Sequence, residues 1–150
     1  MAVDITRGKK NYEEHASRYS AALTKLESQR TILLELVEAD AAAYRKVMEA
    51  YKLPKDSPAR ETAVQQALVH ATDVPSRTAN AAAEALAVLR DLQDIIHPNV
   101  ASDLQVGLQM LRSAIQGGIA NMRINIKDIK DGAVRERYEE MAANYAKSAN

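Results

Sequence analysis

The sequence predicts an all-α protein, an antiparallel bundle of about five long helices. Residues that break helices are scarce, since the chain holds five glycines and four prolines among 150 residues. Strong helix formers such as alanine and leucine are abundant, whereas Phe and Trp are absent. Apolar residues recur at alternating steps of three and four, the spacing of one face of an α-helix. Few breakers together with this periodicity predict helices throughout.

Length and composition describe one globular domain. A chain of 150 residues, 47% of them hydrophobic, can bury a core of its own. Twenty basic and twenty acidic side chains cancel, which argues against nucleic acid or a membrane surface as the main partner. The absence of cysteine excludes disulfides and thiolate metal sites. No stretch is apolar for long enough to span a bilayer, so we expect a cytoplasmic protein.

The first long helix is predicted from Lys9 to Lys52, a stretch without Gly or Pro. It would be roughly 65 Å long, which indicates that part of it packs on another subunit. The predicted core-facing stripe comprises Tyr12, Ala16, Tyr19, Leu23, Leu26, Arg30, Leu33, Val37, Asp40, Tyr44, Val47 and Tyr51. Such a stripe is the narrow seam of a helix that packs at a shallow angle. We expect Asp40 to face inward because it lies within the stripe.

Two further helices are predicted on either side of Pro75. The segment KLPKDSP ends the first helix, because Pro54 disfavours helical geometry in the residue before it. A second helix then runs from about Pro58 to Asp73. Pro75 breaks or kinks the chain, and a third helix covers roughly Ser76 to Ile96.

A fourth helix is predicted from about Ser102, and a last one from about Ala133 to Lys147. The fourth carries an apolar stripe through Leu104, Leu108, Leu111, Ile115, Ile119, Met122, Ile126 and Ile129. Gly117 and Gly118 interrupt this helix without moving the stripe, which favours a close contact between helices over a break. No internal repeat or linker divides the chain, so we predict a single domain.

Asp40 has two interpretations. It is either a polar residue that fixes the register of the helix, paired with Arg30 or with a tyrosine hydroxyl, or an active-site carboxylate that burial makes easier to protonate. Structural ion pairs occupy such positions as well, so the residue alone does not decide between the two roles.

Four other residues are candidates for ligand binding. Lys55 lies in a predicted loop, where it is either solvated or a point charge for a substrate carboxylate. Asp103, next to Ser102, either caps the fourth helix or meets a heteroaromatic ligand that presents N–H donors. Asn121 and Asn125 are spaced i, i+4 on one helical face, where they either line a polar cleft or bond to each other.

No pattern in the sequence predicts a metal site or a phosphate-binding loop. His15, His70 and His97 lack the spacing of metal ligands. The chain also has no HExxH, Walker or GxSxG motif. We therefore expect neither a metal nor a cofactor.

Three blocks of the sequence resemble the cyclodeaminase/cyclohydrolase family, which comprises the C-terminal domain of formiminotransferase-cyclodeaminase and stand-alone methenyltetrahydrofolate cyclohydrolases. The blocks are LVEADAAAYRKVMEAYKLPKDSP, VASDLQVGLQML and GGIANMRINIKDIKD, and the likeness extends from DITRGKK to about Asp131. The resemblance implies an all-helical, dimeric domain that acts on a tetrahydrofolate derivative, with Asp40 as the catalytic carboxylate. The substrate-binding residues that it implies are Lys55, Asp103, Asn121 and Asn125.

The chemistry that the resemblance implies suits a single carboxylate. A methenyltetrahydrofolate carries a delocalised amidinium cation, which an inward carboxylate can hold. Hydrolysis needs a base that takes a proton from attacking water, and cyclodeamination needs proton transfer so that N10 attacks and ammonia leaves. Asp40 suits either reaction, so the choice between cyclohydrolase and cyclodeaminase stays open.

The sequence departs from the family at its beginning. Family members usually start with a helical segment that carries a PGGGS-like turn, whereas MAVDITRGKK resembles the end of the family's first helix. Either the start of this chain omits that segment, or the protein is a shortened homologue whose ligand site lacks the turn. The alternative to an enzyme is a catalytically silent homologue that serves as a dimeric helical scaffold or a ligand-binding module.

Overall fold

The computed structural model describes all 150 residues and contains helices and turns but no strand. The helices are α1 (Ala2–Arg7), α2 (Ala16–Lys52), α3 (Pro58–Arg90), α4 (Ala101–Ile126) and α5 (Gly132–Ala149). Single 3₁₀ turns lie at Glu13–His15, Gln93–Ile95 and Pro98–Val100. The predictions of an all-α fold and of about five helices are confirmed. No helix combines the length and the apolar character that crossing a bilayer requires.

Helix α3 is the centre of the bundle. It packs against α2, α4 and α5, and α4 also packs against α5. Buried alanines of α3 let its neighbours approach closely, and large buried side chains such as Leu86, Leu108, Ile115 and Met122 fill the space between the helices. Helices α2 and α4 lie on α3 with little direct contact between them. A groove therefore runs between α2 and α4, with α3 as its floor.

Helix α1 occupies one half of this groove. Its Val3 is buried in the main core, and its first residues lie against Leu23 and Leu26 of α2 and Leu104 of α4. Buried Thr6 fixes the helix, because its hydroxyl donates to the Ala2 carbonyl at 2.9 Å and accepts the His97 N–H at 3.1 Å. The other half of the groove is open.

The predicted break at Pro75 is wrong, since α3 is continuous from Pro58 to Arg90. A proline lacks the N–H that would bond to the carbonyl four residues earlier, here that of Ala71. In this fold the side-chain amide of Asn125 donates to that carbonyl at 2.9 Å. A neighbouring helix thus supplies the hydrogen bond that Pro75 cannot make, and the two helices predicted on either side of it are one.

The predicted start of the first long helix at Lys9 is also wrong. Asn11 adopts a left-handed backbone conformation with φ of 74°, which asparagine tolerates better than most residues. This residue separates α1 from α2, which begins at Ala16. A stretch free of Gly and Pro can therefore still contain a turn.

Helices α4 and α5 match their predictions closely. The close helix contact predicted at the glycine pair is confirmed at Gly118, where an added Cβ would lie 2.8 Å from the Pro75 carbonyl oxygen. Gly117 has nothing within 4 Å of such a Cβ, so only one of the two glycines is required by packing. Asp131 caps α5 by accepting hydrogen bonds from the N–H groups of Ala133 and Val134.

The stripe predicted to face the core on α2 is right only in the first half of the helix. Tyr19 is fully buried, and its hydroxyl donates to the Ile95 carbonyl. In the second half, the stripe positions Val37 and Tyr44 are 65% and 64% exposed. The residues that face α3 there are Leu36, Ala43 and Ala50. The stripe lies on the flank of α2 that borders the groove, and α1 covers this flank only in the first half.

Candidate functional site

The open half of the groove contains a cavity of about 270 Å³. Its lining residues are Asp40, Ala43, Tyr44 and Val47 of α2, Ala71 and Pro75 of α3, and Asn121, Ile124 and Asn125 of α4. Three of the five site residues named from the sequence thus line one cavity, although more than 80 residues separate Asp40 from the two asparagines along the chain. We call this space the Asp40 cavity.

Asp40 does not face inward as predicted, because its side chain is exposed at the rim of the cavity. The flank of α2 on which it lies is uncovered at this level, so Asp40 is not the buried carboxylate that the stripe predicted. The alternative of a register pair with Arg30 is also wrong. Arg30 binds Glu27 one turn earlier at 2.6 Å, and both side chains are exposed.

Asn125 has a defined orientation in the cavity wall. Its Nδ2 donates to the Ala71 carbonyl, which leaves Oδ1 without a partner in the chain. This oxygen is not sealed away from solvent, so it is a free acceptor at the cavity. Asn121 lies one turn earlier on α4 and is exposed. The two amides do not bond to each other, because Asn125 donates to α3 instead.

Asp103 lies away from the Asp40 cavity, at the other end of the groove. It is exposed in the first turn of α4 and lines a separate space of about 360 Å³ beneath α1. Its predicted capping role is wrong, since Val100 is the N-cap residue of α4 and no side chain caps that helix. The 3₁₀ turn Pro98–Val100 leads directly into α4, so Asp103 lies within the first turn of the helix and not at its cap position.

Lys55 is likewise apart from the cavity. It is exposed in the loop between α2 and α3, and it forms no ion pair. The fold therefore brings Asp40, Asn121 and Asn125 together and leaves Lys55 and Asp103 elsewhere.

Six of the nine cavity residues were not identified as site residues from the sequence, among them Tyr44, Pro75 and Ile124. Tyr44 follows Asp40 by one helical turn and is 64% exposed, and Ile124 faces it from α4 with 63% of its surface exposed. Pro75 forms part of the floor. Pro75 could have been noticed as a proline within a continuous helical pattern. Tyr44 looks like an ordinary residue of the α2 stripe, and Ile124 lies outside the α4 stripe, so neither carried a signal.

The chemistry of the cavity is that of an acceptor-rich, partly apolar site. Asp40 supplies a carboxylate and Asn125 a carbonyl oxygen, while Tyr44, Val47 and Ile124 supply apolar surface. Such walls suit a flat ring that presents N–H groups or a delocalised positive charge. The chain has no group of three or more His, Asp or Glu side chains arranged for a metal ion.

The sequence matches the profile of the formiminotransferase-cyclodeaminase family over residues 1–144. Formimidoyltransferase-cyclodeaminase of Gallus gallus is 34% identical over 151 residues, which cover 97% of this chain and 28% of that protein. The same enzyme of Mus musculus is 30% identical over 91% of this chain and 26% of its own length. The chain thus spans little more than a quarter of these two relatives.

Two shorter proteins match over most of their own length. Methenyltetrahydrofolate cyclohydrolase of Methylorubrum extorquens is 31% identical, and the match covers 94% of this chain and 70% of that protein. The crystal structure of formiminotetrahydrofolate cyclodeaminase from Thermotoga maritima superimposes with a TM-score of 0.91 at 27% identity, covering 99% of this chain and 72% of that one. Family profile, relatives and fold agree, and the chain belongs to the formiminotransferase-cyclodeaminase family.

Proposed function

We propose that this protein is an enzyme that acts on a tetrahydrofolate derivative in the Asp40 cavity, as a cyclohydrolase or a cyclodeaminase. The observation that carries the proposal is that Asp40, Asn121 and Asn125, which come from two distant blocks of the sequence, line one cavity. The names of the relatives support the substrate class, since they are a methenyltetrahydrofolate cyclohydrolase and formimidoyltransferase-cyclodeaminases.

In the proposed reaction Asp40 is the general base and acid. Its carboxylate lies beside the position of the amidinium cation of the methenyl substrate and stabilises that charge. For hydrolysis, Asp40 takes one proton from the water that attacks the methenyl carbon and returns it to the nitrogen as the C–N bond breaks. The second proton of that water is released to solvent as the formyl carbonyl forms. For cyclodeamination, N10 attacks the formimidoyl carbon, and the same carboxylate carries a proton from N10 to the departing ammonia. An exposed carboxylate at a cavity rim reaches solvent, which lets it exchange protons between turnovers.

The test follows the loss of 5,10-methenyltetrahydrofolate absorbance with the purified protein and with Asp40→Asn. We expect the variant to lose about 10²- to 10⁴-fold in rate, the contribution of a positioned acid–base group. Asp128→Asn is the control, because Asp128 is an exposed aspartate beyond the end of α4 and should leave the rate unchanged. Equal rates for the wild type and Asp40→Asn would exclude Asp40 as the acid–base group. A wild type that is inactive here and releases no ammonia from 5-formimidoyltetrahydrofolate would favour the catalytically silent alternative.

A homodimer is part of the proposal, and an exposed apolar stripe on α2 supports it. The stripe consists of Leu34, Val37, Ala41, Tyr44, Met48 and Tyr51, which are all exposed and follow steps of three and four. This is the heptad spacing of a helix that pairs with another helix. An exposed apolar patch of several hundred Å² marks an interaction site more often than a free surface.

Charge favours an antiparallel pair of these helices. Residues 34–43 carry three carboxylates and no basic residue, whereas residues 44–53 carry three basic residues and one carboxylate. Antiparallel pairing sets the acidic half of each α2 against the basic half of the other, and parallel pairing would set like charges together. Because Tyr44 belongs to both the stripe and the Asp40 cavity, the second copy would stand at the mouth of the cavity.

Sedimentation velocity tests the proposed dimer. We expect a dimer for the wild type and a monomer for Val37→Glu/Met48→Glu, which puts two charges in the stripe. Val106→Glu is the control, since Val106 is 59% exposed on α4 and outside the stripe. A wild type that stays monomeric at high protein concentration, or a stripe variant that stays dimeric, would show that this face is not the interface.

A further inference from the structure

A proline in the middle of a long helix is paired with an asparagine on its neighbour. Pro75 lies within the 33-residue helix α3 and leaves the Ala71 carbonyl without its helical partner. The Nδ2 of Asn125 donates to that carbonyl at 2.9 Å. Gly118 brings α4 close enough for this bond, because any side chain there would meet the Pro75 carbonyl. Proline, asparagine and glycine thus all lie in the α3–α4 contact, within about two helical turns of one another.

The free carbonyl decides which end of the Asn125 amide faces the cavity. A carbonyl oxygen only accepts hydrogen bonds, so the group beside it must be the NH₂ end of the amide. The Oδ1 end then points away from α3 and has no partner in the chain. If residue 75 had an N–H, that group would bond to Ala71 in the ordinary helical way. The Ala71 carbonyl would then no longer need the NH₂ group of Asn125, and the amide would be free to present either end to a ligand.

We propose that Pro75 is a positioning residue that determines the hydrogen-bonding specificity of the Asp40 cavity. By freeing the Ala71 carbonyl it holds the Asn125 amide with Oδ1 toward the cavity, so that Oδ1 and the Asp40 carboxylate are both acceptors. Such a wall selects a ligand that presents N–H donors, for example the amino-pyrimidine edge of a pterin. This inference rests on the proposed function for its ligand, whereas the link between residues 75 and 125 stands apart from it.

The link is tested by the stability of three variants, Pro75→Ala, Asn125→Asp and the double variant. Asn125→Asp replaces the NH₂ group by a carboxylate oxygen that faces the Ala71 carbonyl, so we expect a marked loss of stability. In the double variant the N–H of residue 75 satisfies Ala71, and the loss should largely disappear. If Asn125→Asp destabilises the protein equally with proline and with alanine at position 75, the link does not exist.

The specificity is tested by the binding of folic acid, which needs no catalytic activity. Pro75→Ala should weaken binding by up to about fivefold, the value of one neutral hydrogen bond, while the protein keeps its helical content and melts no lower than the wild type. The double variant should bind within a small factor of the wild type, because aspartate presents acceptor oxygens in both orientations. Asn125→Leu, which offers no acceptor, should bind as weakly as Pro75→Ala or worse.

Each outcome of the binding test is decisive. Equal affinity of all folded variants would leave Asn125 with a structural role only and would overturn the specificity assigned to Pro75. Stronger binding by Pro75→Ala together with weak binding by the double variant would mean that the ligand uses the NH₂ end, which also overturns it. A wild type that does not bind folic acid would refute the ligand class proposed above and with it the pterin selection, and the stability cycle would still decide the link between the two residues.

Discussion

Replacing Gly118 with alanine tests the close contact between α3 and α4. The added Cβ would lie 2.8 Å from the Pro75 carbonyl oxygen, 3.0 Å from the Ala79 Cβ and 3.2 Å from the Ala79 nitrogen. All three atoms belong to the backbone of α3 or are fixed to it, so none can rotate away. The shortest of these distances falls about 0.6 Å below the 3.4 Å at which ordinary contact begins. Helices α3 and α4 must therefore move apart.

The expected magnitude is a balance of two terms. An extra methyl group in a packed interior costs about 1–3 kcal/mol, and the higher helix propensity of alanine over glycine offsets roughly 1 kcal/mol of this. The free energy of unfolding should fall by up to about 2 kcal/mol. Gly117→Ala is the matched control, because its Cβ would have nothing within 4 Å. With only the propensity term acting, Gly117→Ala should stabilise the protein by roughly 1 kcal/mol.

Thermal unfolding followed by far-ultraviolet circular dichroism measures both variants. In a protein of this size, 1 kcal/mol shifts the melting temperature by about 2–4 °C. We expect a rise for Gly117→Ala and a fall for Gly118→Ala, although the substitutions are chemically identical and adjacent in sequence. If both variants melt at a higher temperature than the wild type, the close approach of α4 to Pro75 does not exist in solution.

Two further predictions concern pH. Burial raises the pKa of the Tyr19 hydroxyl above its ordinary value, so its stabilising effect is present below about pH 10 and is lost as the pH rises further. Tyr19→Phe should lower the free energy of unfolding by about 1 kcal/mol at neutral pH through the lost hydrogen bond to Ile95, and urea unfolding should show a shallower alkaline decline than in the wild type. The hydrogen bond from Lys130 lowers the pKa of the Glu61 carboxyl, so its contribution is present above about pH 4 and is lost as the pH falls. Glu61→Gln should therefore be slightly less stable than the wild type at pH 7 and equal to it at pH 3; a difference that persists in acid would contradict this assignment.

Most of the fold could be predicted because helix formers, breakers and periodicity agree along the chain. The start of α4, both ends of α5 to within two residues and the close contact at Gly118 followed from this agreement. The continuity of α3 could not be predicted, because the hydrogen bond that makes Pro75 tolerable comes from Asn125, 50 residues later. The local sequence pattern shows the proline but not the hydrogen bond from a distant residue that makes the proline tolerable. The turn at Asn11 was missed for a related reason, since asparagine is only one of several residues that adopt positive φ.

The sequence could predict in part which residues belong to the site, but it could not predict how deeply they are buried. Periodicity assigns Asp40 to the same face of α2 as Tyr19 and Leu26, and the structure agrees with that assignment. Whether a face is buried depends on what lies against it, and here α1 covers the level of Leu26 but not that of Asp40. The resemblance placed Asp103 in the same site as Asp40. In the structure Asp103 lies in the first turn of α4, whereas the Asp40 cavity lies near the last turns of that helix. The spacing of residues on one helix shows neither how far two sites lie apart nor which helix covers a given face.

The same three residues connect the stability of the bundle with the chemistry of the cavity. Gly118 allows α3 and α4 to approach closely. Pro75 leaves the Ala71 carbonyl without a helical partner, and the side chain of Asn125 is oriented by its hydrogen bond to that carbonyl. A polar group that lies between helices is costly unless it is paired, so the fold itself maintains the orientation of the Asn125 amide. In the proposed site, the acceptor offered to a ligand would therefore be held in place by the free energy of folding and would not need to be ordered when the ligand binds. Such preorganisation is the role we propose for a proline in the middle of α3, at its contact with α4, where an alanine would make the better helix.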